Sequence, residues 1–208
     1  MCARRKAAVN CVEIAQRVLA RYPQATLEKA IAAYEYDSNA APEDRQMWDD
    51  FRGRGYMTLS ELKRLSLWKA RGRQQVNIAS NSDPAVKAVT EAAIQVNSEV
   101  PDESALPIGI LTTLHGVEIP TASTIMTVWD PQRFGILDIR VWRALRKAAP
   151  DAFRQIEFPP NGSRKGYRLP FGPNDAALYL CVIREIAAQT SLSCREIDKA
   201  LWVLGDDL

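Results

Sequence analysis

Three observations predict an all-helical protein. Apolar residues recur at three- and four-residue intervals in segment after segment, strand-like alternation is scarce, and helix-start signatures mark several boundaries: Thr58 with Glu61, Asp83 with Pro84, and Ser193 with Glu196. The chain has 208 residues, 47% of them apolar, enough to bury an ordinary core in one domain or two small ones. It carries no internal repeat and no low-complexity tract.

Taken in order, residues 9–21 place Val9, Val12, Ile14 and Leu19 at near-helical spacing and stop before Pro23, which predicts a first helix. Residues 26–35 repeat the pattern with Leu27, Ile31 and Tyr34 on one side. A turn or short linker follows over residues 37–44, then a short helix from Glu43 to Phe51 with Met47, Trp48 and Phe51 on its face. Thr58 and Glu61 form a capping box that opens a helix from Leu59 to about Ala70. Its apolar residues Leu62, Leu65 and Trp68 group together and leave Lys63, Arg64 and Lys69 more exposed. Asp83 and Pro84 read as N-cap and first residue of a helix through roughly Val96, and residues 96–104 as a turn. Pro107 is tolerated near the start of the next helix, because first-turn amides have no intrahelical acceptor to lose. Residues 158–174, rich in proline and glycine around a basic and aromatic centre, predict a long exposed loop. An apolar helix then starts at Asn174 or Asp175, and Ser193 with Glu196 opens the last helix, which ends near Gly205.

Net charge is only +2, but the basic residues cluster. Lys63, Arg64, Lys69, Arg71 and Arg73 form one group, Arg140, Arg143, Arg146 and Lys147 a second, and Arg164, Lys165 and Arg168 a third. Such patches on a near-neutral chain fit one phosphate-facing side; solvated helix faces are the plainer explanation of any single patch. The N-terminal stretch is interrupted by charge too often for a signal peptide or membrane span, so a soluble, cytoplasmic protein is expected. Cys2, Cys11, Cys181 and Cys194 lack metal-binding spacing, and there is one histidine to help them. Reduced, mostly structural thiols are therefore expected, with no metal and no cofactor.

The most informative stretch runs from Leu114 to Leu145. Gly116-Val117 makes a tight turn between two apolar helical segments, residues about 104–130 in all, and the second segment opens with the small residues Thr121, Ala122 and Ser123. Backbone N–H groups at such a turn, with the dipole of the second helix, can hold a phosphate without reading sequence. A loop then leads to Asp138, at the start of a helix over about 138–148.

Leu114, Gly116, Val117, Thr121 and Ala122 resemble the LxGVGxxTA hairpin of the helix-hairpin-helix DNA glycosylase superfamily, the endonuclease III group. The segment Gly135 to Arg143 resembles that family's catalytic-aspartate loop and helix, and the 22-residue spacing from Gly116 to Asp138 agrees. The Trp68-Lys69 helix and residues 79–93 look like a bacterial branch of the same superfamily. The resemblance implies a single domain over 1–208, two helical subdomains with a cleft between them, double-stranded DNA as partner, and Asp138 as the catalytic carboxylate. It departs at two places. Pro120 stands where part of the family has its lysine nucleophile, which implies a glycosylase without lyase activity, and Glu118 replaces the second hairpin glycine. The iron-sulfur cysteine quartet found in part of the family is absent.

Each candidate also has a plain reading. Asp138 is a favoured N-cap residue as well as a carboxylate able to stabilise an oxocarbenium-like state and orient water, and both roles can coexist. Lys69 is a surface-packing or phosphate-contacting lysine, or a displaced amine nucleophile. His115 is a turn residue or a DNA contact. Trp68, Trp129 and Trp142 fall at helical core positions, yet an extruded base needs a stacking wall, for which Tyr56, Trp68 and Trp142 are the candidates. The DNA-facing set is then His115, Gly116, Val117, Thr121, Lys69, Arg71, Arg140, Arg164 and Lys165. The expected function is excision of a damaged or modified base, in repair or against phage DNA, with no membrane and no obligate protein partner. The alternative is a non-catalytic helix-hairpin-helix DNA-binding module in which Asp138 is only a cap.

Overall fold

A computed structural model of the chain describes residues 10–35, 41–70, 74–99, 105–156 and 171–205. Among them are eleven helices and no strand, as the periodicity predicts. In chain order they are α1 Cys11–Arg21, α2 Gln24–Ala32, α3 Pro42–Arg54, α4 Leu59–Ala70, α5 Gln75–Ala79, α6 Asp83–Glu99, α7 Ala105–Leu111, α8 Ile119–Trp129, α9 Ile139–Ala148, α10 Pro173–Gln189 and α11 Cys194–Leu204.

Both capping boxes form: the Thr58 amide donates to Glu61 at 2.7 Å, and the Ser193 amide donates to Glu196 at 2.8 Å. The start of α6 differs from expectation. Ser82 accepts from the Ala85 amide at 3.3 Å, while Asp83 turns away and accepts from the Leu59 amide at 2.7 Å. The carboxylate expected to cap its own helix thus caps the neighbouring α4. Helix α5 is an addition to the sequence reading; five residues are too few to display a periodicity. Val12, expected among the apolar residues of α1, is 44% exposed, because the buried face is Cys11, Ile14, Ala15 and Val18.

The helices sort into two groups by their packing. One joins the two ends of the described chain, with α1 on α10 and α9, and α2 on α11, which also packs on α9 and α10. The other is continuous in sequence, α3 to α8, with α6 on α7, α7 on α8, and α4 on α5, α6 and α8. Contacts between α7 and α10 connect them, and one apolar core runs through both. Its largest fully buried side chains include Trp142, Tyr179, Phe51, Phe134 and Phe153.

The cysteine expectation is corrected. Cys11 and Cys181 are joined by a disulfide across the α1–α10 contact, with Cα atoms 6.0 Å apart. Cys194 is a free buried thiol, pushed up to about 12 chiefly by burial, and Cys2 lies outside the described residues.

Candidate active site around Asp138

Asp138 is the N-cap of α9, in extended conformation, and its Oδ1 accepts from the Arg140 amide at 3.1 Å. The other oxygen, Oδ2, accepts from Lys69 Nζ at 3.0 Å. Lys69 comes from the last turn of α4, so the pair joins the central helix group to the terminal one. Its side chains are 12% and 21% exposed, covered enough to be held and open enough to be reached. Burial works to raise the Asp138 pKa. Against it act the charge of Lys69, the Arg140 amide, the Lys69 hydrogen bond and the charge of Arg140, which together hold the carboxyl below its ordinary value. The resting site is an ammonium–carboxylate pair.

The loop that carries Asp138 is fixed from two sides. The Ile136 amide donates to Asp198 of α11 at 2.8 Å, and the Leu137 amide donates to Ser123 of α8 at 3.0 Å. Asp198 is buried and also accepts from Arg195 at 2.6 Å; burial pushes its pKa up, opposed by the charge of Arg195. At Gly135 any side chain would strike the Tyr179 hydroxyl, 2.6 Å from an ideal Cβ, so the loop passes where only glycine fits.

The turn between α7 and α8 is fixed in the same manner. Gly116 has φ 75°, the left-handed region, and a Cβ there would lie 2.9 Å from the Ile78 amide nitrogen of α5. Asn81 clamps the turn through the main chain of His115: the Asn81 amide group donates to the His115 carbonyl at 2.9 Å and accepts from its N–H at 2.9 Å. His115 itself is exposed. Helix α8 starts two residues earlier than expected, at Ile119, with Glu118 as N-cap and Pro120 inside the first turn. The Thr121 and Ala122 amides turn back to the Glu118 carbonyl at 2.9 and 2.8 Å, and proline has no N–H. Outward-facing amides at this helix start are therefore fewer than expected.

The expected site residues are only partly brought together. Asp138, Lys69 and the Arg140 main chain meet; the Arg140 guanidinium instead stacks over Trp202, 4.0 Å from the ring centre. Val117 and Thr121 are buried, and their amides donate to the Leu114 and Glu118 carbonyls at 3.1 and 2.9 Å. Arg64 is paired with Asp44 and Glu43, which neutralises part of the first basic patch. Trp142 is corrected from pocket wall to core: it is 1% exposed, edge-on to Phe153 at 4.9 Å, and its Nε1 donates to the Arg154 carbonyl at 2.9 Å. Trp68 is edge-on to Trp48 at 5.2 Å, one residue before Lys69. Tyr56 lies between Arg54 and Lys87, 4.9 and 4.3 Å from its ring centre. Arg71, Arg164 and Lys165 lie outside the described residues.

An open pocket of about 420 Å³ adjoins the α7–α8 turn, lined by Thr112, Gly116, Glu118, Ile119, Phe171 and Pro173 among others, and by neither Asp138 nor Lys69. Asn81, Ser123 and Asp198 are the positioning residues that sequence reasoning missed. Asp198 had a signal: it is an acid on the face of α11 shared by Cys194, Ile197 and Leu201, where a buried charge needs a partner. Among the described residues no group of His, Cys, Asp and Glu could hold a metal ion, and no helix is long and apolar enough to cross a membrane. Compared with protein-family models, with curated proteins and with solved structures, the chain matches none.

Proposed function

We propose that the protein is a DNA glycosylase, which rotates a damaged or modified nucleotide out of double-stranded DNA and hydrolyses its N-glycosidic bond, leaving an abasic site. The observation that carries the reading is the ionised Asp138, held at a helix start by Lys69 and the Arg140 amide and reachable from solvent. Breaking a bond from C1′ to a base develops positive charge on the sugar. A fixed carboxylate beside C1′ stabilises that charge and accepts a proton from the attacking water, while the base leaves with the bonding electrons. The α7–α8 turn, with His115 exposed and Gly116 in the left-handed region, is the proposed backbone contact. Lesions of ordinary DNA and hypermodified bases of phage DNA are both within this reading, in a cytoplasmic setting.

The N-cap bond from the Arg140 amide also gives Asp138 a purely structural task, which favours a second reading as a DNA-binding module. One comparison separates the two. Wild type and Asp138→Asn are incubated with DNA carrying alkylated, deaminated and phage-type modified bases, and free bases are identified by mass spectrometry. Base release by wild type alone, with DNA bound equally by both, is the result expected of the glycosylase. Equal binding with no release from any substrate selects the binding module.

A further inference from the structure

Cys11 is the first residue of α1 and Cys181 lies in the middle of α10, so their bridge pins the leading turn of α1 to the core. The rest of α1 is held more lightly. Its 11 residues are too few for a helix to persist alone in water, and its seat is the apolar face of Ile14, Ala15 and Val18. At the other end the Tyr22 hydroxyl donates to the Ala144 carbonyl at 3.4 Å. Arg17 donates to Asp151 at 3.0 Å on the open surface, where an ion pair adds little. Ala144 belongs to α9 and Asp151 follows its last turn, so α1 braces the helix that Asp138 caps. We infer that the bridge is a redox latch: closed, it seats α1 on α9 and α10 and steadies Asp138 against Lys69, and opened by small thiols it loosens that pair. In the cytoplasmic setting proposed above, thiols keep most bridges open, and those that do form there are usually redox-sensing or catalytic. The inference rests on the glycosylase reading for that setting and for the task of Asp138.

Access sets the order of events. Cys181 is partly exposed and Cys11 is buried, so the thiolate of a small thiol attacks the Cys181 sulfur. The S–S bond breaks, and its electron pair leaves on Cys11, which takes a proton. A second small thiolate then attacks the outer sulfur of the mixed disulfide, and Cys181 leaves as a thiolate that is protonated in turn. Two small thiols have become one small disulfide, and the bridge has gained two electrons and two protons. Oxidation by the small disulfide runs the same steps backwards and closes the latch. Cys194 is a buried thiol and takes no part.

The full-length protein is equilibrated without DNA in buffers of graded glutathione to glutathione disulfide ratio. Peptide mapping after alkylation scores Cys2, Cys11, Cys181 and Cys194 one by one. Cys11 and Cys181 are expected to open and close together, reversibly, in the folded protein. On opening, amide exchange in α1 and the first turns of α9 is expected to quicken by about tenfold or more, with α6 unchanged. The Asp138 titration, followed by carbon-13 NMR, is expected to move to higher pH as the hold of Lys69 weakens. Cys181→Ser should show the reduced exchange and titration in every buffer. A bridge that glutathione opens only in denaturant, exchange that quickens equally in α6, or an unmoved Asp138 titration overturns the latch. All three are read on wild type, so the test does not depend on the variant folding. Base release from modified DNA by the closed form, scored separately, tests the glycosylase reading, so either reading can fail alone.

Discussion

At the scale of single residues, Asp138 is governed by a contest between burial, which favours the neutral acid, and Lys69, which favours the carboxylate. In wild type the cation and amide contacts win, so the carboxyl titrates below its ordinary value of 3.8. The stability this contributes is present above 3.8 and is lost as pH falls through the lower folded value. Lys69→Met removes both the charge and the hydrogen bond and leaves burial opposed mainly by the Arg140 amide. The Asp138 titration, followed by carbon-13 NMR of the side-chain carboxyl, is then expected to move to higher pH; an unmoved titration would show that Lys69 does not set it. Gly116 offers a second test. Gly116→Ala forces a left-handed φ on alanine and drives a methyl into the α5 backbone, and is expected to cost about 1–3 kcal/mol in denaturant unfolding. Asp138 at its helix start and the turn glycine Gly116 were both legible in the sequence, because an acid before an amphipathic run and a glycine between apolar runs have local causes. The amine facing Asp138 was not, since Lys69 and Asp138 are 69 positions apart and nothing local links them.

At the scale of elements, the site depends on how a loop is suspended between helices. The Ile136 and Leu137 amides sit in an apolar surrounding and find acceptors only through Asp198 on α11 and Ser123 on α8. Asp198→Ala strips two partners at once, the Ile136 amide and the Arg195 guanidinium, and leaves the latter without its buried counter-charge. A loss of about 3–5 kcal/mol is expected by chemical denaturation. Asp198→Asn, which still offers a carbonyl to the Ile136 amide, is expected to recover part of it. Equal losses for the two variants would mean that the charge pair with Arg195, and not the loop contact, carries the effect. Most helices were legible because periodicity and capping are written in adjacent residues, as with Thr58 and Glu61 or Ser193 and Glu196. What failed was what a cap does at a distance: Asp83 serves α4 instead of its own helix, and Ser123, read as a small residue for close approach, is a hydrogen-bond acceptor for the Asp138 loop.

At the scale of the whole molecule, the order of helices in sequence and their order in space part company. The first helices pack on the last three, so α1 meets α10 and α2 meets α11, while α3 to α8 form the second group. The site lies where α4 of the second group reaches α9 of the first, so its geometry depends on how firmly the chain ends are held together. The Cys11–Cys181 bridge closes a loop of sequence separation 170 across that assembly. Closing so long a loop restricts the unfolded chain strongly, and a contribution of about 2–4 kcal/mol is expected. Cys11→Ala and reduction with a strong thiol reductant should lower the denaturation midpoint by the same amount, with no further effect of reductant on the variant. Cys194 does not complicate the comparison, since burial keeps its thiol far from the thiolate form at neutral pH. A midpoint indifferent to reductant would mean that packing of Ile14, Ala15 and Val18 alone holds α1 in place. If the bridge does hold it, reduction should loosen the terminal helix group first, and hydrogen exchange would show faster opening of α1 and α10 than of α6. That order follows from which helices the bridge joins, and it would link the state of two cysteines to the support on which Asp138 rests.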